Sequence, residues 1–220
     1  GTATIADSTI SGNYTYKGSS NGGGIWNYGN LTLSNSTISS NYGDLGSGIF
    51  TSGTLSLYHC TISDNTGGDA IYNHGNVEIT IGHTIAADYF NVLQYGISKG
   101  YNLFEQGSIY GAIASDIFGG NADLQSLADN GGPTLTHALG INSYAFDAGD
   151  PSAVAGSGSI SDSDQRGAGY TRTLDTIDIG AVEMTNRPPD AISDGFTTDE
   201  NTGFTTGDVL SNDTDPDTTD

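Results

Sequence analysis

The chain has 220 residues, enough for one or two domains, and carries 26 acidic against 5 basic side chains for a net charge of −21. That imbalance argues against nucleic acid and anionic membrane as partners, which need basic patches, and suits a protein that binds divalent cations or works in salty water. The single cysteine, Cys60, excludes an intramolecular disulfide framework and a cysteine-rich zinc site, and no apolar run approaches the roughly 18 residues of a membrane helix.

Gly is 33 of the 220 residues, about twice the usual share of roughly 7%, and Ile outnumbers Leu, which favours strands. In chain order the predicted strands recur. Ala3-Thr4-Ile5 and Thr9-Ile10-Ser11-Gly12-Asn13 open the chain as a partial copy, so the sequence reads as part of something longer. Gly24-Ile25-Trp26-Asn27-Tyr28-Gly29-Asn30-Leu31-Thr32-Leu33 then matches Gly48-Ile49-Phe50-Thr51-Ser52-Gly53-Thr54-Leu55-Ser56-Leu57. A third block follows as Ala70-Ile71-Tyr72-Asn73-His74-Gly75-Asn76-Val77-Glu78-Ile79. Each leads on to Thr-Ile, at Thr37-Ile38, Thr61-Ile62 and a degraded Thr84-Ile85. One such unit cannot bury its own apolar face, but stacked units can.

The predicted fold is therefore all-β, a right-handed parallel β-helix with one turn per repeat and about 4.8 Å between neighbouring strands. Ile25, Leu31, Leu33 and Ile38 would face inward, stacked on Ile49, Leu55, Leu57 and Ile62. Gly29, Gly53 and Gly75 would occupy corners. Asn13, Asn41 and Asn65 would form an amide ladder, and Cys60 would fill the small-residue slot of Ser8 and Ser36. A β-sandwich would need hairpin signals, which are sparse.

Trp26, Phe50 and Tyr72 each follow an inward Ile and would point outward, one turn apart. Such a ladder either stiffens the solenoid or offers a platform for sugar rings. An enzyme would need paired carboxylates. Asp44, Asp64 and Asp69 fall in the variable corner, so a pair is conceivable, and Asp64, Asp69 and His74 are the catalytic candidates on that reading. Asp164 would pair with Arg166 or cap a turn.

Composition shifts after Met184. Residues 185–189 form a Pro-Pro linker, and 190–220 hold too few apolar residues for a core, so that stretch is either disordered or the start of a domain. Its alternating Asp213, Asp215 and Asp217, with Glu200, are either a solvated acidic tail or ligands for Ca²⁺, which takes six to eight hard oxygens.

The phrases Asn121-Ala122-Asp123-Leu124, Leu127-Ala128-Asp129-Asn130-Gly131-Gly132-Pro133-Thr134-Leu135-Thr136-His137-Ala138-Leu139, Ala145-Phe146-Asp147-Ala148-Gly149-Asp150, Asp164-Gln165-Arg166-Gly167 and Asp178-Ile179-Gly180-Ala181-Val182-Glu183 resemble the choice-of-anchor Q domain, a β-helix module of secreted bacterial proteins. The resemblance covers residues 1–184. Asn186-Arg187-Pro188-Pro189 with Asp208-Val209-Leu210-Ser211-Asn212-Asp213-Thr214-Asp215-Pro216-Asp217 is similar to the opening of cadherin-like tandem repeats of bacterial adhesins, incomplete here and lacking the usual Gly after Asp217. The resemblance informs architecture more than activity; taken with the aromatic column and the acidic tail, the expectation is an extracellular or cell-surface stalk or passenger, non-enzymatic, that binds glycans or surface components, calcium-assisted. The alternative is a polysaccharide lyase or glycoside hydrolase.

Overall fold

A computed structural model describes residues 1–16, 21–75, 77–92, 94–172, 176–184, 192–195 and 211–214. The chain divides into two units, Gly1–Met184 and Thr185–Asp220. In the first, β1 (Thr2–Ala6) and β2 (Thr9–Ser11) make a partial coil. β3 (Ile25–Asn27), β4 (Asn30–Ser39) and β5 (Tyr42–Gly43) follow, then β6 (Ile49–Thr51), β7 (Leu55–Ser63) and β8 (Thr66–Gly67). Next come β9 (Ile71–Asn73), β10 (Ile79–Gly82) and β11 (Ile85–Val92). β12 (Gly96–Ser98), β13 (Leu103–Ile109) and β14 (Ile117–Phe118) complete the set. These strands pair in parallel, coil on coil, into a β-solenoid of about three turns.

The register explains the core. Ile25 pairs with Ile49 and Ile49 with Ile71, and the same file continues through Phe90. Ile10, Ile38, Ile62, Ala86, Phe104 and Phe118 form a second file. Leu33, Leu57 and Ile81 form a third, each fully buried. Stacking like on like lets a chain poor in large apolar side chains bury them economically, at about 25 cal/mol per Å² of apolar surface removed from water. Gly53 lies against Gly29, whose carbonyl oxygen a Cβ at 53 would overlap, and Gly75 adopts φ +91°. Both conditions favour glycine.

Two parts of the predicted register change in the third coil. Ile79, not Val77, pairs with Leu55, and Ile81 with Leu57. Two residues are absorbed in a turn closed by the Asn73 side chain, which donates to Val77 O at 2.9 Å and accepts from Val77 N at 3.1 Å. Ile85 then pairs with Thr61 and Ala86 with Ile62, so Thr84 takes the small-residue slot. In that slot the Cys60 amide donates to Thr84 Oγ1 at 3.2 Å, as the Ser8 amide does to Ser36 Oγ. Burial pushes the Cys60 thiol up to about 12, so it is an inert filler.

The asparagine ladder forms as predicted. The Asn13 amide and Nδ2 both donate to Asn41 Oδ1, at 3.0 and 2.9 Å, and Asn41 does the same to Asn65 Oδ1 at 3.1 and 2.9 Å. The ladder ends on a carboxylate: Asn65 donates twice to Asp88 Oδ2.

Beyond β14 the chain stops coiling. The described residues of 121–184 pair only by isolated antiparallel bridges and lie along one flank of the solenoid. Hydrogen bonds from Thr37 Oγ1 to Gln165 Oε1 (2.6 Å) and from the Ala181 amide to Thr61 Oγ1 (3.0 Å) fasten them there. Ile85, Leu103, Ala145, Ile179 and Met184 form the apolar seam. In the second unit, Asp213 Oδ1 accepts the Ile192 amide at 2.8 Å. No helix among the described residues is long and apolar enough to cross a membrane.

Candidate lateral aromatic site

β3, β6 and β9 lie side by side, so residues that alternate outward from them stack. Trp26 pairs with Phe50, and Phe50 with Tyr72. Ring centroids are 5.6 Å apart at both steps, edge-on between Trp26 and Phe50 and nearly parallel between Phe50 and Tyr72. Two residues further along, Tyr28 and His74 extend this patch into a second row. Tyr28 lies 5.3 Å from Trp26, tilted by 32°, and His74 lies 5.3 Å from Phe50.

The prediction that all three rings face solvent changes at the middle one. Phe50 is only 2% exposed, whereas Trp26 is 51% and Tyr28 70% exposed. Phe50 is the base on which the outer rings rest, and the surface available to a ligand is Trp26 with Tyr28. Such ring contacts are worth about 0.5–1.5 kcal/mol each beyond burial, so the base holds the outer rings in fixed orientations. A second row, exposed Tyr14 stacked on half-buried Tyr42 at 4.9 Å, stands at the variable corner.

The catalytic candidates follow three different strands, Asp64 after β7, Asp69 after β8 and His74 after β9. His74 is engaged with Phe50 and Tyr72. Asp64 lies 3.9 Å from His137 Nε2, on the flank side. Asp69 is held in the turn whose carbonyl accepts the Ser47 amide, and burial raises its carboxyl pKa. No hydrogen bond or ion pair joins these three residues. His137 itself is buried, between Ser39 Oγ at 2.8 Å and the Gln125 carbonyl at 2.7 Å. It fastens the flank rather than facing a ligand.

Of the metal candidates, Glu200, Asp215 and Asp217 lie outside the described residues, and Asp213 is engaged by Ile192. No group of three or more His, Cys, Asp or Glu side chains that could hold a metal occurs among the described residues. Asp164 pairs with Arg166 as expected, with Nη2 to Oδ2 at 2.6 Å, and the guanidinium also lies 4.0 Å over the Tyr170 ring.

Sequence reasoning missed a second column. Asp7, Asn35, His59, His83 and Tyr101 all have φ between 43° and 55° at one corner. The rings of His59, His83 and Tyr101 stack at 4.7 and 5.1 Å. Placing Thr84 opposite Cys60 would have revealed this column, because each member immediately precedes the small-residue slot. His59 is fully buried and neither ring nitrogen has a hydrogen-bond partner. Burial holds its pKa well below the usual histidine value and brings His83 down to about 4, so both rings are neutral.

The chain matches no protein-family model, and neither the curated proteins nor the solved structures show a significant match. The fold and site define the class: a parallel β-solenoid with an aromatic lateral face.

Proposed function

We propose that this chain is a non-enzymatic, secreted or cell-surface module of the choice-of-anchor Q type, an adhesin-like stalk that binds glycans through its lateral aromatic face. The observation that carries this reading is the pairing of exposed Trp26 and Tyr28 above buried Phe50. Flat, immobilised rings suit the apolar faces of sugars, and a rigid array needs little ordering on binding. The charge of −21 keeps the stalk soluble. Calcium at Glu200, Asp213, Asp215 and Asp217, in a cadherin-like continuation, is part of the same proposal. The alternative of a polysaccharide lyase or hydrolase rests on Asp64, Asp69 and His74.

The test is incubation of the intact chain with neutral and acidic polysaccharides, scoring both retention and new reducing or unsaturated ends. Trp26 is the sole tryptophan, so intrinsic fluorescence reports on this face directly. The proposal predicts retention, a saturable fluorescence change and no new ends, with retention lost in Trp26→Ala. Cleavage, or retention indifferent to Trp26→Ala, would overturn it.

A further inference from the structure

A separate pocket lies on the flank of the solenoid, with a volume of about 460 Å³, inside the roughly 300–1,000 Å³ range of small-molecule sites. Its floor is built by the repeat. Tyr58 pairs with Gly82, and the next coil places Lys99 beside it, with the Lys99 amide donating to Ile81 O at 2.7 Å. Gly82 has no side chain where its neighbours have large ones. A Cβ there would sit 3.1 Å from Lys99 Cβ and 3.4 Å from Tyr58 Cδ1. The Tyr58 and Lys99 side chains close over the bare Gly82 backbone and so stand together on the pocket's floor.

The opposite wall is the flank loop, including Asp150, Ser152, Val154 and Ile160. It is anchored to the corner column, because the Asp150 amide donates to His83 Nε2 at 3.2 Å. Tight turns then hold it: the Ala153 amide bonds Asp150 O at 2.9 Å, and Ile160 bonds Ser157 O at 3.0 Å.

The chemistry of the lining is specific. Of the Lys and Arg side chains among the described residues, Arg166 and Arg172 are buried in ion pairs, whereas Lys99 is exposed in this pocket and makes no ion pair. Asp150 Oδ1 accepts Ser152 N at 2.8 Å and Ser152 Oγ at 2.7 Å. These bonds lower the Asp150 pKa and keep it ionised, and Oδ2 is left for a ligand donor. Tyr58 adds a ring, and Ser157 and Ser159 add hydroxyls.

We propose that this pocket binds a carboxylate-bearing sugar, its carboxylate on Lys99, its ring hydroxyls on Asp150 and the serines, and its apolar face on Tyr58. A cation faces the acid, an anion and hydroxyls face the ring hydroxyls, and an aromatic plane faces the C–H groups. The net negative charge disfavours a long anionic polymer. Screening within about 8–10 Å at physiological salt leaves a single carboxylate to the Lys99 ammonium. The site is distinct from the Trp26 face and does not depend on it.

The experiment is titration of the intact chain with galacturonate and, in parallel, galactose, followed by amide chemical shifts at Gly82, Lys99 and Asp150. Galacturonate is expected to bind saturably and at least about tenfold tighter than galactose, one charge-assisted hydrogen bond being worth that much. Lys99→Met erases the difference between the two sugars, and Tyr58→Ala, which removes the ring the sugar face rests on, weakens binding of both. Shifts at these amides without a saturable change in Trp26 fluorescence separate this site from the aromatic face. Equal binding of the two sugars, unchanged galacturonate affinity in Lys99→Met, or no shifts at millimolar sugar would overturn the proposal. Lys99 is exposed, so its variant tests the site even where Tyr58→Ala fails to fold.

Discussion

Arg172 and Asn35, 137 positions apart, are joined inside the protein by a hydrogen bond of 2.7 Å from Nη2 to Oδ1. The same guanidinium donates to Glu183 Oε1 at 2.8 Å and to the Gly180 carbonyl at 3.1 Å. It is fully buried and locks the returning flank to the corner column of the solenoid.

Removing Arg172 therefore has a large effect. Burial already pushes the Glu183 carboxyl up to about 8, against the pull of Arg172. Without Arg172 the Glu183 carboxyl loses its charge-assisted donor, and the buried Gly180 carbonyl and Asn35 Oδ1 lose theirs. Arg172→Met is expected to cost about 3–5 kcal/mol in denaturant unfolding, and Arg172→Met with Glu183→Gln to recover part of that loss. A single variant within 1 kcal/mol of the parent would contradict the lock.

The asparagine ladder predicts opposite outcomes at two rungs. Asn41→Ala strands the Asn13 amide and the Ile10 carbonyl, which Asn41 Nδ2 reaches at 2.9 Å, and is expected to cost about 2–4 kcal/mol. Asp88→Asn keeps an oxygen for both Asn65 donors. It also removes a half-buried carboxyl whose pKa is raised by desolvation, so it is expected to be neutral or stabilising. Thermal melts of both variants check this.

His59 gives a pH dependence with a definite sign. Its folded pKa is depressed well below 6.5 by burial, then by Arg172 and His83, so the unfolded chain takes up a proton that the folded chain refuses. Stability is lost as pH falls through the unfolded value. His59→Phe keeps the stacking and fits the same left-handed backbone that Tyr101 adopts at φ 55°. It also removes two unpartnered buried nitrogens, so it is expected to be at least as stable at pH 7.5. Its advantage should grow by about 2 kcal/mol on going to pH 5, at 1.4 kcal/mol per pH unit. Parallel unfolding curves at the two pH values decide it.

The aromatic face predicts a split between stability and binding. Phe50→Ala empties a buried site and is expected to cost about 3–5 kcal/mol. Trp26→Ala and Tyr28→Ala remove more exposed rings, so each is expected to cost less than Phe50→Ala, about 1–2 kcal/mol, while lowering polysaccharide retention. Melting temperature and retention measured on the same three variants test this directly.

The legible part of the fold was the part written in repeats. Ile25, Ile49 and Ile71 share a spacing in sequence and a file in space, because one turn of backbone per repeat turns periodicity into stacking. The third coil misled because Gly75-Asn76 mimics Gly29-Asn30, while the Asn73 turn absorbs two residues that no spacing rule can see. The flank was not legible, since its anchors are single hydrogen bonds over long separations, such as Thr37 to Gln165. The outward direction of Trp26 was readable from alternation. The burial of Phe50 was not, because it depends on how neighbouring rings close over it.

All of this rests on successive coils stacking in register. Methyl–methyl nuclear Overhauser effects on the isoleucine-labelled chain measure that stacking most directly. Adjacent strands lie about 4.8 Å apart, so cross-peaks are predicted between Ile25 and Ile49 and between Ile49 and Ile71, and between Ile38 and Ile62. Absence of these cross-peaks in the folded protein, with Ile49 instead contacting residues of a hairpin partner, would contradict the account.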